Sequence, residues 1–215
     1  MVILLKTKKI KTYQKLFAVG VCSILLFTVY FYRDPDRTIP NGNNLCLSPA
    51  DGNILYIKEY NGIPEIYKDG NKYILKDINN YYKNGSYVIG IFMSPFDVHV
   101  NRAPVGGEVV YTKHIDGGFY PAFMGDLTKK NERNIIIIKN GSDYIGVIQV
   151  AGILARRTIC NVNVGDYVAM GQRIGRINLG SQTALILPKG KYILKVKKNE
   201  RVYAGKTVIA ERINN

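Results

Sequence analysis

The chain has 215 residues, 47% of them hydrophobic, enough for one sizeable domain or two small intertwined ones. Its three cysteines, Cys22, Cys46 and Cys160, form no CxxC or other metal spacing and no even framework, which argues against a thiolate metal site and a disulfide scaffold and suits a reducing compartment. Thirty Lys and Arg against 16 Asp and Glu give a net charge of +14, compatible with nucleic acid, an anionic membrane or an acidic small substrate.

Lys6, Lys8, Lys9, Lys11 and Lys15 lead into an uncharged apolar run from Leu16 to Tyr32, which ends in Tyr30-Phe31-Tyr32. A span needs roughly 17 apolar residues at the lower limit, so the run just qualifies. A cleaved signal peptide lacks its small-x-small site before Arg33, and a buried core helix does not explain the lysines. A membrane anchor over 1–32, ahead of a domain over 33–215, is the expectation. A full crossing would place that domain outside; a helix dipping into one leaflet keeps it on the cytoplasmic face, which is the expected placement.

Beyond the anchor, Arg33-Asp34-Pro35-Asp36-Arg37 reads as a charged exit turn and Pro40-Asn41-Gly42-Asn43-Asn44 as a loop. Strands are expected over 52–57, 72–75 after the Lys68-Asp69-Gly70-Asn71 turn, and 87–93. Two more, 134–139 and 144–151, flank the hairpin signal Asn140-Gly141. A short helix is expected after Pro95. Two weak repeats stand out: Pro49-x-Asp51-Gly52-x-Ile54-x-Tyr56 against Pro104-x-Gly106-Gly107-x-Val109-x-Tyr111, and Val162…Asp166-x-Val168-x-x-Gly171 against Val196…Glu200-x-Val202-x-x-Gly205. The second pair has the look of hammerhead turns in biotinyl- and lipoyl-carrier folds. The expected class is mainly β, a compact curved sheet or barrel.

Three motifs supply a carboxylate, an imidazole and a hydroxyl: Asp51 in Ser48-Pro49-Ala50-Asp51-Gly52, His99 in Ser94-Pro95-Phe96-Asp97-Val98-His99, and Ser181 in Leu179-Gly180-Ser181. A carboxylate that orients an imidazole, which deprotonates a hydroxyl, makes an activated nucleophile. Each has a bland alternative: a loop cap for Asp51, a satisfied core histidine for His99, an ordinary turn for Gly180-Ser181, like Gly85-Ser86 and Gly141-Ser142. The other histidine, His114, lies in a polar glycine-rich setting, so His99 is the first candidate for proton transfer. Strand-like segments 174–179 and 183–187 bracket Ser181, and glycine at 180 leaves its carbonyl open to attack from that hydroxyl.

Phe31-Tyr32-Arg33-Asp34-Pro35-Asp36-Arg37, the Asp51 turn, the block from Phe92 to Pro104, Asn131-Glu132-Arg133, Ala151-Gly152-Ile153-Leu154-Ala155-Arg156-Arg157 and Leu179-Gly180-Ser181 occur in one order. From Phe31 to the C-terminus that order resembles phosphatidylserine decarboxylase in its short bacterial or archaeal form. The resemblance implies cleavage between Gly180 and Ser181, conversion of Ser181 to a pyruvoyl group and decarboxylation of phosphatidylserine to phosphatidylethanolamine, with no metal. It implies large and small chains held as a heterodimer, with further dimerisation open, and an anionic phospholipid membrane rather than nucleic acid as partner. Arg102, Arg156 and Arg157 are candidates for the lipid phosphate. The chain departs from longer family members at Arg102, where they carry a second histidine, so His99 serves both steps or another base assists. Two other classes stay open: a tethered hammerhead carrier, for which Lys189-Gly190-Lys191 is the candidate tip, and a basic nucleic-acid-binding barrel.

Overall fold

The computed structural model describes residues 2–68, 70–117, 131–152, 157–178 and 181–213, with backbone alone for 2–12, 71 and 181. The chain divides into two compact units, Met1–Arg33 and Asp34–Asn215. The first is one helix, α1, Val2–Phe31. Its segment Tyr13–Phe31 has 19 residues and a mean hydropathy of 1.7. Two of its hydroxyls bond back into the helix, Ser23 Oγ to Val19 O at 2.9 Å and Thr28 Oγ1 to Ile24 O at 2.8 Å. That leaves no donor seeking a partner outside the helix at those positions, as an apolar surrounding demands.

The second unit is built of short antiparallel strands. In chain order they are β1 Leu45–Leu47, β2 Gly52–Tyr60, β3 Glu65–Lys68, β4 Asn71–Ile74, β5 Ser86–Met93, β6 Val100–Arg102, β7 Gly107–Ile115 and β8 Arg133–Asn140. Then follow β9 Asp143–Val150, β10 Thr158–Cys160, β11 Tyr167–Val168, β12 Arg173–Ile177, β13 Ser181–Pro188, β14 Tyr192–Leu194, β15 Arg201–Val202 and β16 Val208–Arg212. Eight of them form a curled half-barrel in the order β11-β7-β8-β9-β13-β5-β2-β15, and two three-stranded sheets, β10-β12-β6 and β1-β16-β14, accompany it. The expected β class is borne out. The helix expected after Pro95 is not there: residues 94–99 form a turn, and a 3-10 helix lies instead at Lys76–Tyr81. The reason is local, since Asp97 closes the turn by accepting Ser94 N through Oδ2 at 2.7 Å while donating its own N–H to Ser94 O at 3.0 Å.

The large sheet is symmetric in its pairings about the β9–β13 centre, and this is the structural content of the sequence repeats. β15 pairs with β2 at Gly52 and Asn53 as β11 pairs with β7 at Gly107 and Glu108. The register breaks between Ile54 and Tyr56 in one copy and between Val109 and Tyr111 in the other. Ile54 N donates to Glu200 O at 2.9 Å, and Val109 N to Asp166 O at 2.8 Å. A Cβ at Gly52 would stand 2.1 Å from Phe92 O, and one at Gly107 2.1 Å from Lys139 O, so both positions require glycine for close backbone approach.

Both faces of the sheet are covered. Ile136 and Ile138 join Ile89, Ile91, Met93, Leu185 and Leu187 in the cluster on one face. Ile135 and Ile137 join Ala184, Ile186, Ile78 and Tyr82 on the other. An isoleucine run with no polar alternation is what burial on two sides demands. Each such side chain contributes ~1.5–3 kcal/mol of transfer free energy.

Candidate active site

Asp51 is buried, and its carboxylate is fully engaged: Oδ1 accepts Ala204 N at 2.8 Å and Oδ2 pairs with Arg37 Nη2 at 2.9 Å. It thereby ties the Ser48–Gly52 turn to the turn between β15 and β16. No direct hydrogen bond joins Asp51 to His99. The Arg33–Arg37 motif reads as an exit turn in sequence; in the structure Asp34 holds Arg102 and Arg173, and Asp36 holds Arg173.

His99 is 1% exposed at the end of the turn that links β5 to β6. Its Nδ1 lies 2.9 Å from Asp97 O. A carbonyl only accepts, so Nδ1 carries the proton and Nε2 is the basic nitrogen of the neutral ring, an assignment made from the bond. The orienting group is thus the Asp97 backbone. The Asp97 side chain faces elsewhere: Oδ1 pairs with Arg201 and Oδ2 accepts Ser94 N. Burial pushes this carboxyl up, but the Arg201 guanidinium and the Ser94 bonds outweigh it and hold the group below its ordinary range.

The chain around the Gly180–Ser181 link is bracketed by the same turn. β12 pairs with β6, and Ile177 N donates to His99 O at 3.1 Å. Asn178 N donates to Arg157 O at 3.1 Å. On the far side, β13 opens at Ser181, which pairs with Met93, the last residue before the His99 turn. Both described ends of the β12-to-β13 connection therefore meet the β5-to-β6 connection, one at His99 and the other at Met93. Leu179 and Gly180 lie outside the described residues.

Among the arginines, Arg102 is buried and engaged. Nη1 donates to Gly171 O at 3.1 Å, and Nη2 to Pro35 O at 3.1 Å and Asp34 Oδ1 at 3.2 Å. Arg157 is exposed, and Arg156 lies outside the described residues. In the Lys189-Gly190-Lys191 turn, the candidate carrier tip, Lys189 pairs with Glu59 and donates to Asn61 Oδ1 at 2.8 Å, while Lys191 is exposed. No group of three metal-ligating side chains occurs among the described residues.

The chain matches the family model of phosphatidylserine decarboxylase over residues 24–210, which takes in every segment of this site. The chain belongs to the phosphatidylserine decarboxylase family. It is 63% identical over 199 residues to a Methanocaldococcus jannaschii protein described as an archaetidylserine decarboxylase proenzyme, covering 92% of this chain and 96% of that one. A Methanothermobacter thermautotrophicus protein of the same description is 45% identical, over 94% of this chain and 90% of its own length. The phosphatidylserine decarboxylase proenzyme of Carboxydothermus hydrogenoformans is 43% identical, over 86% and 80%.

Within this member of the phosphatidylserine decarboxylase family, the structure adds residues that motif reading passed over. Arg201, which fixes Asp97, stands 104 positions away in a short edge strand, where only proximity could reveal it. Gln182, next to Ser181, donates through Nε2 to Tyr56 Oη at 3.0 Å and Tyr67 O at 2.7 Å. At Arg102, the departure from longer decarboxylases, a guanidinium braces the 34–35 segment against Gly171.

Proposed function

We propose that this chain is a self-cleaving decarboxylase proenzyme that converts Ser181 to a pyruvoyl group and removes carbon dioxide from the serine headgroup of a membrane glycerophospholipid. The observation that carries the reading is that both described flanks of the Gly180–Ser181 link meet the β5-to-β6 connection, Ile177 bonded to His99 and Ser181 paired with Met93.

In this reading the basic Nε2 of His99 takes the Ser181 hydroxyl proton while the oxygen attacks the Gly180 carbonyl, exchanging the amide for an ester. Loss of the α-proton of Ser181 then expels the Gly180 carboxylate, and hydrolysis of the resulting dehydroalanine releases ammonia. The products are a large chain ending at Gly180 and a small chain beginning at position 181. The residues present fit the group: a serine after glycine, opening a central strand opposite Met93, and in the turn that follows Met93 a histidine whose basic nitrogen the backbone selects. Once formed, the pyruvoyl carbonyl supplies the sink for the electrons released as carbon dioxide departs. His99 then returns a proton to the headgroup carbon, and Asp97 with Arg201 keeps the His99 turn in place. Asp51 and Arg102 act as braces of the site. The exposed Arg157 remains the candidate for the lipid phosphate.

The relatives' names divide between archaetidylserine and phosphatidylserine, which share the headgroup that the site would handle. The 63% relative favours the archaeal lipid backbone. The apolar helical segment Tyr13–Phe31 supports membrane anchoring. The unpaired cysteines support a cytoplasmic catalytic unit, with the helix lying in one leaflet, and protease protection in intact cells tests that side.

Intact-mass spectrometry of purified protein tests the whole reading. The expected result is two chains, the smaller beginning at position 181 with a blocked N-terminus, and a Ser181→Ala variant that stays whole. Assays on both lipids decide the substrate. Full decarboxylase activity in an uncut chain would sink the proposal.

A further inference from the structure

We infer that Asn101 is a positioning residue for self-cleavage: its buried amide joins the His99 strand to the strand that opens at Ser181 and to the Asp51 turn. The inference rests on the cleavage reading above and deepens it.

Asn101 lies two residues after His99 in β6 and is fully buried. Its Nδ2 donates to Thr183 Oγ1 at 2.9 Å and to Pro49 O at 3.2 Å. Thr183 is two positions past Ser181, and Pro49 two positions before Asp51. Three segments remote in sequence therefore meet on one amide. The backbone reinforces the contact, since Arg102 N donates to the same Pro49 carbonyl at 2.9 Å.

The amide's orientation follows from chemistry. Pro49 O only accepts, so the Asn101 nitrogen must face it, and Oδ1 must face Gln149. Gln149 Nε2 donates to that oxygen at 2.9 Å, and its Oε1 accepts Asn134 Nδ2 at 2.9 Å. Asn134 Oδ1 in turn lies 2.6 Å from His114 Nδ1. Reversing the Gln149 amide would reach Ile159 O at 3.3 Å and Arg176 N at 3.2 Å, but it would set Gln149 oxygen against Asn101 oxygen. The original orientation is the consistent one. Gly175 of β12, paired with Asn101, makes room for the row: a Cβ there would stand 2.7 Å from Gln149 Nε2 and 2.3 Å from Ile159 O.

An attacking hydroxyl must sit about 3–3.5 Å from its carbonyl carbon, so register between the two connections controls the rate. A neutral amide fixes that register and, having no proton to exchange near neutral pH, leaves the base unchallenged. If the row served burial alone, valine at 183 would fill the same volume and join the apolar cluster around Met93 and Leu185.

The test is a time course of self-cleavage in freshly synthesised full-length chain, read on denaturing gels beside thermal midpoints. Thr183→Val should slow appearance of the small chain about tenfold, equivalent to ~1.4 kcal/mol of barrier, with Tm within a few degrees of wild type. Thr183→Ser, which keeps the hydroxyl, should cleave near the wild-type rate. Asn101→Asp, which sets an acceptor against Pro49 O, should be slow. Wild-type speed in Thr183→Val overturns the inference, as does Thr183→Ser being as slow as valine. Should the valine variant unfold, Thr183→Ala against Thr183→Ser makes the same comparison, and equal rates overturn it. A wild-type chain that stays whole fails the cleavage reading itself, which the Ser181→Ala control distinguishes.

Discussion

At His99 the backbone, through Asp97 O, chooses which ring nitrogen is basic. His99→Gln retains a polar group of similar reach without the base, so self-cleavage should slow by about 10²–10⁴ in a time course; an unchanged rate removes His99 from the chemistry. Asp97 carries a pH signature. Its folded carboxyl is held below the unfolded value, so it contributes stability above that value and loses it as pH falls through the folded one. Thermal midpoints should therefore drop on acidification below about pH 4, and Asp97→Asn should flatten that part of the curve. An identical acid slope in both proteins would refute the assignment. His99 was legible because the chain offers only two histidines, and Ser181 because turn and strand signals frame it. Arg201 and Asn101 were not, because nothing beside them in sequence marks partners 104 and 82 positions away.

Among the elements, the paired approaches at Gly52 and Gly107 make a controlled comparison. Alanine at either would force a carbonyl aside from 2.1 Å, and each variant should lose about 3 kcal/mol by denaturant unfolding. Gly52→Ala should also slow self-cleavage, because Phe92 immediately precedes Met93, the partner of Ser181; Gly107→Ala, whose neighbour is Lys139, should not. Equal cleavage rates in the two would break the link between this strand and the site. The Asn140-Gly141 hairpin was readable because its turn is local. The position of β13 between β5 and β9 was not, since both pairings close over long sequence separations that no periodicity encodes. The isoleucine run of β8 concealed its two faces for the same reason that it is stable: neither faces water.

For the molecule as a whole, the chain divides into a helical unit and a β-rich unit. Deleting residues 1–33 should leave a protein that still cleaves itself but floats with anionic vesicles only weakly and in a salt-sensitive way, through its remaining basic charge. Undiminished, salt-resistant flotation would show that the helix is not the anchor. A different consequence follows from β13 lying inside the eight-stranded sheet. Cleavage before Ser181, as proposed, would leave β13 held between β5 and β9, with β15 and β16 of the same fragment paired to β2 and β1 of the other. The two pieces would stay interleaved, yet without a peptide bond between them. Once denatured, they must find each other by collision, so recovery from denaturant turns second-order and fails on dilution, while uncut Ser181→Ala chains refold at any concentration.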